Sequence, residues 1–152
     1  MEKRAMDGRP HAEALRRGRY SEPGRIYLVT TVTRDRTPVF QDLWAARALI
    51  GTLRYADREN HAETLAFVVM PDHLHWLMSL GEVESLSTVV RSIKAVTSRR
   101  LGHAVWQPGF HDRALRREEE LLPIARYIAA NPLRAGLVRK LGDYPHWDAI
   151  WL

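Results

Sequence analysis

The 152-residue sequence predicts one α+β domain, in which an antiparallel sheet has helices on one face and a C-terminal helix is added. Short runs of β-branched and aromatic residues predict the strands, and apolar residues at helical spacing predict the helices. These segments follow one another in the order β-α-β-β-α-β-α, which is the ferredoxin-like, split βαβ pattern. A chain of this length can bury a sizeable core in one domain.

The first half of the chain supplies three of the predicted strands and one helix. Residues 26–33 (IYLVTTVT) are β-branched or aromatic and predict a strand. Asp42 can cap a helix that runs to about Asn60. Residues 64–70 and 73–80 predict two further strands, and the Pro71-Asp72 turn between them favours a hairpin.

The second half of the chain predicts a helix, a strand and the added C-terminal helix. The apolar spacing favours a helix over residues 85–101. Residues 105–111 predict a fourth strand that Pro108-Gly109 interrupts. A last helix covers roughly residues 119–130, since Pro123 is tolerated only near a helix start.

Ahead of this domain, the first 24 residues are polar and rich in arginine. We predict a basic N-terminal arm over residues 1–24 and a single domain over residues 25–152. The arm is expected either to contact nucleic acid or to be a solvated tail.

Composition points to an acidic partner. The net charge is +5 and the pI is about 10.0, and all but three of the 23 basic residues are arginine. Arginine presents a planar fork of donors to phosphate, which favours a nucleic-acid partner, although GC-rich codon usage also enriches arginine. The chain has no cysteine, which excludes disulfides and thiolate metal sites. No apolar run approaches the ~20 residues of a membrane span, and we expect a cytoplasmic protein near the nucleoid.

Two histidines carry the clearest chemical signal. His73 and His75 are two apart on a predicted strand, so their side chains share one face of the sheet. The alternate residues Leu74 and Trp76 are apolar and predict a core on the opposite face. Two imidazoles at this spacing suit a metal ion, with at least one more protein ligand. Imidazole alone favours zinc or another late metal, whereas a phosphate substrate favours magnesium or manganese.

A tyrosine and an amide form the second signal. Tyr127 and Asn131 are four apart and share a helix face. A metal bound to a phosphodiester would help a tyrosine attack the phosphorus, because it stabilises the developing charge. Asn131 could supply the third ligand, or it could cap a short helix that starts at Pro132. His111 and Asp112 form a weaker cluster of ligands, phosphate contacts or residues without a role.

The chain resembles the REP-associated tyrosine transposases, which are relatives of the single-tyrosine HUH transposases. The resemblance runs in order over nearly the whole chain. It is carried by residues 15–19 (LRRGR), 26–34 (IYLVTTVTR), 69–76 (VMPDHLHW), 106–112 (WQPGFHD) and 127–138 (YIAANPLRAGLV).

The resemblance implies roles for four residues. His73 and His75 match the HUH pair, Tyr127 matches the nucleophile and Asn131 matches the third ligand of Mg²⁺ or Mn²⁺. The implied reaction is cleavage of single-stranded DNA through a 5′-phosphotyrosine link, with strand joining as its reverse. The implied substrates are repetitive palindromic sequences that fold as hairpins. Many relatives have glutamine at the third position, so the shorter asparagine must lie closer to the metal or act through water.

DNA contacts are expected from the basic residues of the arm and of the domain surface. The candidates are Arg16, Arg17, Arg19, Arg34, Arg91 and Lys94. We expect a monomer or a homodimer. Two other functions remain open at the level of the sequence: a retired transposase that binds hairpins without cutting them, and a metal-dependent hydrolase that uses water and does not need Tyr127.

Overall fold

The computed structural model describes residues 21–115 and 120–149. The strands are β1 (Ile26–Val32), β2 (Ala62–Met70), β3 (His73–Leu80), β4 (His111–Ala114) and β5 (Trp147–Ala149). The helices are α1 (Leu43–Arg58), α2 (Leu86–Leu101), α3 (Leu121–Ala129) and α4 (Asn131–Arg134). Only the last four residues of the predicted arm belong to the described part.

The five strands form one antiparallel sheet in the order β4-β1-β3-β2-β5. Strand β3 lies at the centre, with β1 on one side and its hairpin partner β2 on the other. The first four strands therefore have the split βαβ arrangement that the sequence predicts, and the α+β fold class is confirmed.

Helices α1 and α2 pack together on one face of the sheet. Their apolar residues meet Val29, Leu74, Trp76 and Met78 in the larger hydrophobic core. Trp76 is fully buried and donates its indole N–H to Thr64 Oγ1 at 2.9 Å, so the buried ring leaves no polar atom without a partner.

Helix α3 packs on the opposite face, against β2 and β5. Leu121, Ala125 and Ile128 are spaced by one helical turn and form a second core with Val68 and Leu77. The two long helices thus share one face as expected, and the added helix covers the other face near the histidines.

The predicted fourth strand is displaced. The sequence predicts a strand over residues 105–111, but the ladder with β1 begins only at His111, and Trp106 makes an isolated bridge with Thr33. Gly109 adopts a left-handed conformation with φ 78°, which extended pairing does not allow. Lys94 binds the carbonyl groups of Gln107 and Gly109, so an ammonium group takes acceptors that a ladder would use.

Strand β5 is not predicted from the sequence. This strand has three residues, of which only Ala149 is buried. It is too short to show an alternation of apolar and polar residues in the sequence. Residues 21–115 and 120–149 include no helix that is long and apolar enough to cross a membrane.

Candidate metal and tyrosine site

His73 and His75 lie side by side on β3, on the sheet face that α3 covers. Their neighbours across the hairpin, Met70 and Val68, belong to the core beneath α3. The two ring centroids are 4.8 Å apart and the ring planes are 82° to each other. The structure thus confirms that strand alternation brings the two imidazoles together.

Each imidazole is held by a hydrogen bond at Nδ1. His73 Nδ1 is 2.8 Å from Asp72 Oδ1, and His75 Nδ1 is 2.9 Å from Thr30 Oγ1. These bonds leave the Nε2 atom of each ring available for a metal ion. Metal-binding histidines commonly use this arrangement, in which an outer partner fixes the ring and its tautomer.

Asp72 is itself anchored by the surrounding loop. Arg36 Nη1 donates to Asp72 Oδ2 at 3.0 Å, and Thr33 donates to the Asp72 carbonyl through its backbone N–H and its hydroxyl. Burial alone would raise the pKa of the Asp72 carboxyl, but the hydrogen bonds from His73 and Arg36 hold the pKa below its ordinary value. The carboxylate therefore stays ionised and accepts the His73 N–H.

The environment of His75 keeps its ring neutral. Burial lowers the pKa of His75 to about 3, with further lowering by the nearby charges of His73, Arg134 and His111. A neutral imidazole can bind a metal ion without first losing a proton.

Removing the Asp72 carboxylate should weaken metal binding. We expect Asp72→Ala to lower Mn²⁺ affinity by about 10- to 100-fold, because His73 loses the partner that orients its ring. Asp72→Asn keeps an acceptor at the same position and should lose less. Titration calorimetry of both variants measures the effect, and equal affinities for wild type and Asp72→Ala would refute it.

Tyr127 stands on the exposed side of α3, with 59% of its surface accessible. Its neighbours Ala125 and Ile128 face the core, which fixes the orientation of the helix. The Arg134 guanidinium carbon lies 3.7 Å from the centre of the phenol ring, and Arg134 Nη2 donates to the Tyr127 carbonyl at 3.0 Å.

Asn131 does not cap a helix. It is the first residue of α4, Ala130 occupies the N-cap position, and no side chain caps this helix. Asn131 Nδ2 instead donates to the Ile128 carbonyl at 3.3 Å, across the junction of α3 and α4. This bond leaves the amide oxygen available as a ligand.

The donor set fits a divalent ion that keeps open positions. Within the described residues, no group of three His, Cys, Asp or Glu side chains could hold a metal ion, so a third ligand from these residues must be of another type. Two imidazoles and the Asn131 amide oxygen would form a mixed nitrogen and oxygen set without thiolate. Such a set leaves positions for water or a phosphate oxygen.

His111 extends the row of polar side chains across the sheet. Thr30 is directly opposite His75 on β3 and opposite His111 on β4, so all three share a face. The Nε2 atom of His111 is buried and has no hydrogen-bond partner in the described part of the chain. Burial lowers the pKa of His111, and the neighbouring Asp112 opposes this shift.

The predicted DNA-contacting residues have different surroundings. Arg34 and Arg91 are exposed, whereas Arg16, Arg17 and Arg19 lie outside the described residues. The sequence predicts Lys94 on the domain surface, where it could contact DNA. In the structure its ammonium instead donates to the carbonyl groups of Gln107 at 3.0 Å and Gly109 at 2.6 Å. Burial lowers the pKa of Lys94 to about 8.

The sequence patterns do not identify Thr30 and Arg134 as parts of the site. Thr30 alternates with buried residues in β1, so its side chain could have been placed on the histidine face. Arg134 follows Tyr127 by seven residues, which is about two helical turns. The break between α3 and α4 hides this relation in the sequence.

The fold is shared with a known class of transposases. A family model described as "Transposase IS200 like" matches residues 24–131, which is most of the chain. The chain belongs to this family of transposases.

Among its relatives, the chain is similar to the REP-associated tyrosine transposase of Escherichia coli K12, with 32% identity over 90 residues. This alignment covers 58% of the chain and 54% of the relative, so it spans about half of that protein. A Haemophilus influenzae protein assigned to the same group is 26% identical over 143 residues, covering 81% of this chain and 78% of that one.

A solved structure of a REP-associated tyrosine transposase bound to a REP hairpin has the same fold. Its TM-score is 0.74 at 27% identity, and the match covers 85% of this chain and 79% of the other. The resemblance to REP-associated tyrosine transposases that the sequence shows is confirmed.

Proposed function

We propose that this protein cuts and rejoins single-stranded DNA at repetitive palindromic hairpins, in a metal-dependent reaction with Tyr127 as nucleophile. The observation that carries the proposal is a pair of adjacent histidines held at Nδ1, whose Nε2 atoms have no hydrogen bond among the described residues, below the helix that carries an exposed tyrosine. The REP hairpin bound to the related transposase supports this class of substrate.

Tyr127 supplies the attacking oxygen. As its phenol oxygen bonds to the phosphorus, the bond from phosphorus to the 3′-oxygen breaks. The products are a 5′-phosphotyrosine and a free 3′-hydroxyl, so the phenol proton is released and the 3′-oxygen gains a proton. The link conserves the energy of the phosphodiester, and attack by a 3′-hydroxyl on the phosphotyrosine reverses the step.

His73, His75 and Asn131 are the proposed ligands of Mg²⁺ or Mn²⁺. The bound ion would polarise the scissile phosphate and stabilise its developing charge. Asp72 and Thr30 orient the two imidazoles, and the junction of α3 and α4 places Asn131 one turn after the nucleophile. Exposed Arg34 and Arg91 are proposed to contact the DNA backbone, which would place the protein in the cytoplasm, near the nucleoid.

A covalent adduct assay tests this function. The protein is incubated with end-labelled single strands of the hairpin repeats that flank its own gene, with Mn²⁺ or with EDTA, and the products are separated under denaturing conditions. We expect a slow band that joins protein and DNA and that disappears with EDTA.

Two results would contradict the proposal. Cut DNA without any adduct over a time course would indicate a hydrolase that uses water. Hairpin binding without cutting in any divalent ion would indicate a retired transposase that acts as a binding module.

A further inference from the structure

Arg134 contacts both the ring and the backbone of Tyr127. Its guanidinium stacks on the Tyr127 ring at 3.7 Å, and one of its N–H groups binds the Tyr127 carbonyl. Its positive charge is one of those that lower the pKa of His75, after burial and His73. The guanidinium therefore lies against the proposed nucleophile, and its charge acts on one of the proposed metal ligands.

The backbone after Asn131 holds Arg134 in this place. Helix α4 is a single turn that ends at Arg134. Two residues later, Gly136 adopts a left-handed conformation with φ 75°, which ends the helical path of the backbone. The Leu137 N–H then binds the Pro132 carbonyl at 2.9 Å and closes the turn. The short helix thus points the arginine back across the junction onto α3.

The Arg134 guanidinium has N–H donors that could bind a substrate. It carries five N–H groups, and the described residues account for one of them, at the Tyr127 carbonyl. A phosphodiester attacked by the Tyr127 oxygen would lie at the edge of the same ring. Arginine binds two oxygens of such a group at once through its planar fork.

We propose that Arg134 is a catalytic residue that holds the Tyr127 ring and donates hydrogen bonds to the non-bridging oxygens of the scissile phosphodiester. The inference rests on the proposed role of Tyr127 as nucleophile. The tyrosine oxygen bonds to phosphorus, the 3′-oxygen leaves, and no proton passes through the guanidinium. Its donors stabilise the charge that gathers on the phosphoryl oxygens.

The test compares Arg134→Gln with Arg126→Gln. Arg126 is exposed on α3, next to Tyr127. Both variants therefore remove one positive charge near the tyrosine. Single-turnover adduct formation is measured with Mn²⁺ at saturating hairpin, and hairpin affinity is measured separately in EDTA over a salt series. We expect Arg134→Gln to slow adduct formation by about 10²- to 10³-fold, and Arg126→Gln to stay within about threefold of wild type. Both variants should lose similar hairpin affinity.

A sulfur substitution in the DNA distinguishes a contact of Arg134 with the substrate from a purely structural role of this residue. One non-bridging oxygen at the mapped cleavage site is replaced by sulfur, in each stereoisomer. For wild type, we expect one sulfur isomer to form the adduct more slowly than the other. For Arg134→Gln, the two isomers should react at the same rate, because the contact between the arginine and the phosphate oxygen is already absent. Arg134→Lys keeps the charge but not the stack or the fork, and we expect at least about a tenfold loss of rate.

The experiment distinguishes failure of the proposed Arg134 role from failure of the proposed function. Equal adduct rates for the two glutamine variants, or an unchanged sulfur effect in Arg134→Gln, would overturn the role of Arg134 and leave the tyrosine mechanism intact. A normal rate in Arg134→Lys would exclude recognition through the planar fork. Absence of an adduct in wild type with every divalent ion would overturn the proposed function, and the role of Arg134 with it.

Discussion

Replacing Tyr127 by phenylalanine is expected to abolish the covalent protein–DNA adduct while leaving folding and hairpin binding intact. The substitution removes one oxygen atom, for which the described residues provide no hydrogen-bond partner, from a side chain that is 59% exposed. The ring remains, so the stack with the Arg134 guanidinium remains as well. The expected loss is complete, because no other group in the variant can form the phosphotyrosine bond.

Tyr55→Phe is the matched control for this experiment. Tyr55 is also exposed on a helix and also has an arginine near its ring, at 6.0 Å from Arg58. Its variant should form adduct at the wild-type rate, and thermal unfolding should confirm that both variants fold. DNA cleavage that survives in Tyr127→Phe would exclude the tyrosine mechanism in favour of a hydrolase.

The histidine pair could be predicted because its signal is local. On a strand, alternate side chains share a face, and the apolar Leu74, Trp76 and Met78 identify the other face as core. The fold class follows from the same kind of pattern, repeated along the chain. The sequence therefore predicts the sheet, the helices and the imidazole pair without knowledge of distant contacts.

The groups that support the site depend on contacts between distant segments. Thr30 reaches His75 only because β1 pairs with β3 in one particular register. Lys94 has the position of a surface residue on its helix, and it becomes partly buried only because the loop before β4 folds over it. That loop also displaces β4 to His111, which a local pattern of apolar residues does not reveal.

Asn131 shows where local rules compete. Asparagine before proline is typical of a helix N-cap, and this preference predicts a structural role. In the structure α3 and α4 follow each other with only Ala130 between them, so Asn131 already lies within a helical turn. Its side chain bonds to the Ile128 carbonyl instead, and the amide oxygen remains available for the proposed ligand role.

The metal-free protein is expected to lose stability in mild acid because of His75. Its pKa is about 3 in the folded state, whereas an unfolded histidine has a pKa of about 6.5. As the pH falls below 6.5, the unfolded state binds a proton that the folded state does not, so acid favours unfolding. Above that pH both states are neutral and the residue contributes no pH dependence. Lowering the pH from 8 to 5 should therefore cost about 2 kcal/mol at this residue.

Chemical denaturation in EDTA at pH 8 and pH 5 measures this effect. His75→Asn cannot titrate, so its loss of unfolding free energy between the two pH values should be smaller than that of wild type by about 2 kcal/mol. His103→Asn, at an exposed position, should behave as wild type. Burial also lowers the pKa values of His111 and His146, so every variant should keep some sensitivity to acid. Equal losses in wild type and His75→Asn would show that the ring is not held neutral by the fold.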